Sequence, residues 1–272
     1  MKKITVLFFA ALIFSTARSQ PLFEPQDLAL FTQFVQHVQD GDGSLIHAAR
    51  FFLDTPYVGG TLEGDEIERL RVNLRELDCV TFVETALSLH LMMKSENINF
   101  SNFNNILTKI RYRGGVLDGY KSRLHYFSDW INDNKKMGIF SLPDIPMCAT
   151  FLPEVAFMST RCDAYPALKA NPQMCREMAE IEKQVNELRY CYVPKEQVRN
   201  IEASVKDGDI ICITTSTAGL DITHVGFAVF NNGRLCLLHA SLSGGKVIGH
   251  EILHDYLARN RNNTGIIVVR PL

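Results

Sequence analysis

Three residues in this sequence have types and settings suited to nucleophilic catalysis: Cys79, His224 and His239. Cys79 follows Leu77-Asp78 and opens an apolar periodic stretch that runs to about Lys94, with Phe82, Val83, Ala86, Leu87 and His90 on one broad stripe. That spacing predicts a helix with the Cys79 sulfur at its N-terminus, where unpaired backbone N–H groups favour thiolate over thiol. Asp78 is the natural N-cap, its carboxylate accepting from backbone N–H groups one turn in. Taken alone, the segment also fits an ordinary cap followed by a small first-turn residue.

The histidines change that balance. His224 heads a strand-like run over 224–230, with Gly226 and Ala228 on its own face, a face flat enough to receive a closely packed helix. His239 ends the next run, 235–240, after the turn Asn231-Asn232-Gly233-Arg234. A hairpin with a two- or four-residue loop puts both imidazoles on one face, directly opposed or one diagonal apart; a three-residue loop without a bulge separates them. One face then offers a base for the thiol proton and a second group to hold that base's other nitrogen, as in a Cys-His-polar triad. A zinc site made from Cys79, His224 and His239 is the alternative. A helix-terminal Cys with an aspartate cap serves a nucleophile better than a ligand, and spacing suggests no fourth ligand. No metal or organic cofactor is expected.

The elements that must position these residues read as α+β. Leu28, Phe31, Val35 and Val38 recur at helical spacing until Gly41-Asp42-Gly43. Ser44 caps a second helix carrying Ile46, Ala49 and Leu53, and Thr55-Pro56-Tyr57-Val58-Gly59-Gly60 is a loop. Between about 95 and 205, Leu124, Phe127 and Ile131 predict a helix ending at Lys135-Lys136-Met137-Gly138, and Met178, Ile181, Val185 and Leu188 another. Pro143, Pro146, Pro153, Pro166 and Pro172 lie between them, so this segment is expected to wrap the core in loops. Short strands follow at 210–215, 224–230, 235–240 and 265–269, which makes helices first and an antiparallel sheet afterwards. One domain over 20–272 is expected.

The first 19 residues carry Met1-Lys2-Lys3, an apolar run from Ile4 to Phe14, and small residues at Ala17 and Ser19, the pattern of a secretory signal peptide with the mature chain starting at Gln20. The run falls short of the roughly 20 residues a membrane span needs, so an exported, periplasmic protein without stable membrane insertion is expected. A net charge of −2 with no block of like charge gives no footprint for nucleic acid. Seven cysteines leave at least one unpaired. One or two disulfides are open among Cys148, Cys162, Cys175 and Cys191, whereas Cys212 and Cys236 lie in apolar runs as small buried hydrophobes.

Leu77-Asp78-Cys79-Val80-Thr81-Phe82-Val83, then Gly208-Asp209-Ile210, His224-Val225-Gly226-Phe227 and His239-Ala240-Ser241 resemble, in order, the signature segments of NlpC-type papain-like cell-wall hydrolases. Tyr57-Val58-Gly59-Gly60 resembles the tyrosine-glycine segment those enzymes place before the catalytic helix. The resemblance implies a papain-like fold in which the Cys79 helix packs on the sheet that carries the histidines. It also implies Cys79 as nucleophile, His224 as base, His239 as the orienting residue and Tyr57 as a wall or oxyanion donor. Val80-Thr81 departs from the Ser-Gly of many members, and the interval from Cys79 to His224 is much longer than in a minimal core.

That long interval points to a distinct branch, and Tyr57-Val58-Gly59-Gly60-Thr61-Leu62-Glu63, Arg111-Tyr112-Arg113-Gly114-Gly115 and the stretch from Ser122 to Trp130 together resemble the N-acetylmuramoyl-L-alanine amidase-like branch of Bacteroides-type bacteria. The implied bond is the amide between the muramic lactyl group and L-alanine in small peptidoglycan fragments. The alternatives are a γ-D-glutamyl-diamino-acid endopeptidase of the same fold and a non-catalytic peptidoglycan-binding protein. Tyr57, Asp78, Tyr126 and Trp130 are the candidate substrate-contacting residues. Tyr126 and Trp130 either stack on a sugar ring or pack together, and Arg111, Arg113 and Arg123 either hold stem-peptide carboxylates or form ordinary ion pairs.

Overall fold

The computed structural model describes residues 20–39, 41–64 and 67–272. The expected signal peptide therefore lies outside the described residues. Strands β1 (Phe140–Ser141), β2 (Ala149–Phe151), β3 (Tyr190–Pro194), β4 (Ile210–Thr215), β5 (Ile222–Asn231), β6 (Arg234–Ser241), β7 (Lys246–Ile252) and β8 (Asn263–Pro271) form one sheet. Its order is β2-β3-β8-β4-β5-β6-β7, with β1 also on β8, and every pairing is antiparallel.

The β5–β6 hairpin closes through a two-residue loop, with Asn231 opposite Arg234 and both Asn232 (φ 49°) and Gly233 (φ 73°) in the left-handed region. Asn and Gly tolerate that conformation, and a turn of this hand matches the twist of the flanking strands. The resulting register, Phe227 opposite Leu238, sets His239 beside Gly226 and one diagonal from His224. Both histidines thus share a face.

Eight helices accompany the sheet in the described residues: α1 (Pro25–Gln39), α2 (Leu45–Arg50), α3 (Cys79–Met93), α4 (Phe100–Arg111), α5 (Phe127–Lys136), α6 (Pro166–Lys169), α7 (Pro172–Val185) and α8 (Leu253–Arg259). Helix α3 is apolar nearly all round because it is covered on all sides, by the sheet and by its helical neighbours. Phe82 is fully buried and meets Phe227 edge to face at 5.5 Å. Truncating Phe82 to Ala is expected to cost about 3–5 kcal/mol.

Alternation along the strands assigns two faces. Ile210, Cys212, Val225, Phe227, Val229, Cys236 and Leu238 join the α3 core. Ile211, Ile213, Ala228, Leu235 and Leu237 join a second core, roofed by α8 and by Val198 and Ile201 of the 3-10 stretch Lys195–Ser204. The flat patch at Gly226 and Ala228 was expected to receive the cysteine helix, and it does not. It belongs to the second face, and a Cβ at Gly226 would come within 2.8 Å of His239 Cβ. The flatness accommodates the neighbouring histidine instead.

The 95–205 segment is more than wrapping loops. Helices α4 and α5 contribute Phe103, Leu107, Trp130 and Ile131 to the main core, and β1, β2 and β3 extend the sheet. A third cluster, with Tyr126, Met158, Leu168, Met178 and Val185, lies beside Cys162–Cys175, while Cys148–Cys191 ties β2 to β3. Both disulfides fall among the four cysteines expected; Cys79, Cys212 and Cys236 are free. The Gly208-Asp209 segment is a structural tie, since the two Asp209 oxygens accept from Nε and Nη2 of Arg270, each at 2.7 Å. No helix among the described residues is long and apolar enough to cross a membrane.

Candidate active site

The head of α3 is fixed by a reciprocal cap. Asp78 Oδ1 accepts from Thr81 N at 2.8 Å, while Asp78 N donates to Thr81 Oγ1 at 2.8 Å. Thr81, the departure from the family pattern, is the residue that completes this box. Just upstream, Leu77 N donates to Pro56 O at 3.0 Å and Val58 N to Leu77 O at 3.2 Å. That pairing holds the Tyr57 loop against the residues leading into Cys79.

Cys79 lies at the helix rim, partly exposed, with the backbone N–H groups of Val225, Val80 and Cys79 itself favouring its anion. Burial, and then the Asp78 carboxylate, act the other way and push the thiol up to about 12. The helix-terminal field expected to favour thiolate is worth about 0.3–1 kcal/mol, whereas even partial desolvation of a thiolate acts with more than that, since a single pH unit corresponds to about 1.4 kcal/mol. Desolvation outweighs the helix terminus and favours the thiol.

His224 stands next to Val225 in the chain, and its strand is bulged between Ile213 and Thr214 of the neighbouring β4. His224 Nε2 meets His239 Nδ1 at 2.6 Å, with the two rings nearly perpendicular. Burial, with His239 alongside, pushes His224 down to about 3, so it rests as neutral imidazole. A second irregularity, between Leu237 and His239 in the β6–β7 ladder, lets Glu251 of β7 reach His239, with Oε2 2.9 Å from Nε2. The other Glu251 oxygen accepts from Arg259 Nη1 at the end of α8. His239 has no exposed surface, while His224 has some, so the chain His224–His239–Glu251–Arg259 runs inward from the site and back out.

Two tyrosines flank the thiol. Tyr57 is raised to about 12, first by burial and then by the charge that Cys79 would carry. Tyr256 is raised to about 12 by burial, then Cys79, with Glu251 and Tyr57 also acting on it. Its ring sits 5.4 Å from His224 and 5.3 Å from His239. Sequence reading missed both Glu251 and Tyr256. Lys246–Ile252 mixes polar and apolar residues too evenly to announce a strand, and α8 is only seven residues long. The one available signal was a carboxylate on the segment that follows His239.

The structure brings Tyr57, Asp78, Cys79, His224 and His239 to one place and leaves Tyr126 and Trp130 elsewhere. Tyr126 is buried, donating to Glu182 at 2.6 Å and accepting from Met158 N. Trp130 is fully buried between Phe127 and Phe140, with ring centroids 4.5 and 5.1 Å away. Both belong to the packing alternative, and neither offers a face to a sugar. The three arginines are likewise in ion pairs: Arg111 with Glu84 at 2.7 Å, Arg113 with Asp129 at 2.6 Å and Arg123 with Glu63 at 2.7 Å. Among the described residues no three His, Cys, Asp or Glu side chains converge to hold a metal ion.

Comparison with known proteins adds an independent line. The model of a family described as AmiA-like, N-acetylmuramoyl-L-alanine amidase-like, matches residues 47–266. An N-acetylmuramoyl-L-alanine amidase from Bacteroides uniformis superposes with a TM-score of 0.80 at 37% identity, over 84% of this chain and 99% of that one. A Bacteroides fragilis protein described as a candidate xylanase gives a TM-score of 0.77 at 39% identity, over 82% and 99%. A Legionella pneumophila protein shares the fold at a TM-score of 0.68 and 22% identity, over 91% and 94%. No curated protein matches.

Proposed function

The chain belongs to the AmiA-like, N-acetylmuramoyl-L-alanine amidase-like family, and from that membership we propose that it is a cysteine amidase of small peptidoglycan fragments, with an NlpC-type papain-like active site. The observation that carries the mechanism is a free helix-terminal cysteine that takes the backbone N–H of Val225, the residue after a neutral His224 backed by His239 and Glu251. The reaction is acyl transfer. Cys79 attacks the lactyl carbonyl while His224 takes the thiol proton, giving a tetrahedral oxyanion. The backbone N–H of Cys79 and the Tyr57 hydroxyl are the donors assigned to that charge. Collapse breaks the C–N bond, His224 returns the proton to the leaving L-alanine nitrogen, and a thioester remains on Cys79. Water, deprotonated by His224, attacks the thioester and releases the muramic acid while the thiol is reprotonated. No metal takes part in this scheme.

Two rival bonds are addressed by the same carboxylates. An endopeptidase acting on a free N-terminal alanine needs an anionic partner for the ammonium, and Asp78 is the acid beside the thiol. Its Oδ1 is engaged by Thr81 N and Thr81 Oγ1, and surrendering that cap costs about 1 kcal/mol. A xylanase would need two carboxyl groups flanking a glycosidic oxygen. Here Asp78 serves the cap, and Glu251 serves His239 and Arg259. From the signal-peptide pattern of residues 1–19 we propose that the enzyme acts outside the cytoplasm. Mass spectrometry of the products from a defined muramyl tripeptide tests the proposal: the expected product is the intact stem tripeptide, and release of the free diamino acid with a muramyl dipeptide left behind would replace the amidase by the endopeptidase.

A further inference from the structure

A carboxylate only accepts hydrogen bonds, so the 2.9 Å contact between Glu251 Oε2 and His239 Nε2 requires a proton on that nitrogen. His239 is buried and its pKa is lowered, so it is a neutral ring with one N–H, and its Nδ1 is therefore an acceptor. The partner of that Nδ1 at 2.6 Å, His224 Nε2, must then be the donor. His224 is neutral as well, which leaves its Nδ1 as a bare lone pair. The direction of the whole chain is set at its far end, by a side chain that touches no reacting atom.

We propose that Glu251 is a positioning residue of the amidase, fixing the tautomers of His239 and His224 through two successive hydrogen bonds so that His224 Nδ1 is the proton acceptor, with Arg259 locking Glu251 in that role. The inference rests on the reading of Cys79 and His224 given above. Arg259 matters because a guanidinium only donates, and it holds the other oxygen of Glu251. Put glutamine at position 251 and Arg259 captures the amide oxygen, turning the NH2 toward His239. His239 Nε2 then has to accept, its proton moves to Nδ1, that N–H donates to His224 Nε2, and the His224 proton moves to Nδ1. The lone pair needed for catalysis disappears although every heavy atom keeps its place.

This makes a reversal testable by a second substitution. In Glu251→Gln, kcat is expected to fall about a hundredfold or more, as wrong-tautomer variants of catalytic triads do, with KM little changed. In Glu251→Gln combined with Arg259→Met, the amide is free to rotate and present its oxygen to His239, and kcat is expected to recover at least about tenfold over the single variant. Long-range 15N NMR of the histidine rings reads the tautomers directly and without turnover. The expectation is Nε2–H on both His224 and His239 in the native enzyme, Nδ1–H on both in Glu251→Gln, and the native pattern again in the double variant. A double variant no faster than Glu251→Gln overturns the proposal. So does an Nδ1–H tautomer at His224 in the native protein, a measurement that needs no variant to fold. Failure of the amidase reading would show instead in the product analysis, leaving the tautomers as assigned.

Discussion

Gly226 faces His239 across the β5–β6 pair with no room for a side chain between them, since a Cβ at position 226 would lie 2.8 Å from His239 Cβ and 3.0 Å from Leu238 O. The neighbouring atoms are a ring-bearing Cβ and a backbone oxygen, neither of which moves cheaply. Gly226→Ala is therefore expected to push His239 off both His224 and Glu251. Overpacking of this kind costs about 1–3 kcal/mol of stability. Activity should fall far more than a loss of that size in folded protein explains. Melting temperature and kcat measured on the same preparation check this.

Cys79→Ala and His224→Ala are each expected to abolish turnover with the melting temperature nearly unchanged, because both residues lie at the rim of the core. His239→Ala should leave more residual rate than either, since it removes a holder of the base and keeps the base. With the thiol pushed up to about 12, alkylation of Cys79 should accelerate steadily from pH 7 to 10. An alkylation rate already on its plateau at neutral pH would mean a preformed thiolate.

Four buried or half-buried histidines set the acid limit, with His239 also lowered by burial. His90 is lowered to about 4, and His125 and His224 to about 3, each chiefly by burial. Each has a folded pKa below its unfolded value of about 6.5, so as pH falls below 6.5 the unfolded chain takes up protons that the folded chain refuses. Stability is full above that pH and is lost progressively as pH falls toward 3. Denaturant midpoints between pH 7 and 4 should show this decline, and His90→Gln should flatten part of it.

The aromatic residues divide by role. Trp130→Ala is expected to destabilise by about 3–5 kcal/mol while leaving KM of the remaining folded enzyme unchanged. Tyr57→Phe and Tyr256→Phe should leave the melting temperature near the native value and lower kcat or raise KM. A change in KM without destabilisation at Trp130 would reinstate it as a substrate contact.

Much of the site was legible because local rules and function coincide there. Asp78 before an apolar helix is a cap wherever it occurs, and Asn232-Gly233 fixes a two-residue hairpin that sets His224 and His239 on one face. Glu251 and Tyr256 were not legible. Their placement depends on a ladder irregularity beside His239 and on a one-sided short helix, which are tertiary features without a periodic signal. Tyr126 and Trp130 read ambiguously for a related reason: an aromatic spacing on a helix is the same whether it packs or binds, and only burial separates the two. The thiolate expectation weighed the helix terminus without the desolvation of a thiol flanked by Tyr57 and Tyr256, which acts in the opposite direction.

The most direct test of the account is the mass of the Cys79 peptide from enzyme acid-quenched during turnover of a muramyl peptide. A thioester carrying the N-acetylmuramic acyl group on Cys79 is the expected result. A stem-peptide acyl group there, or Cys79 unmodified throughout with Cys79→Ser fully active, would contradict it.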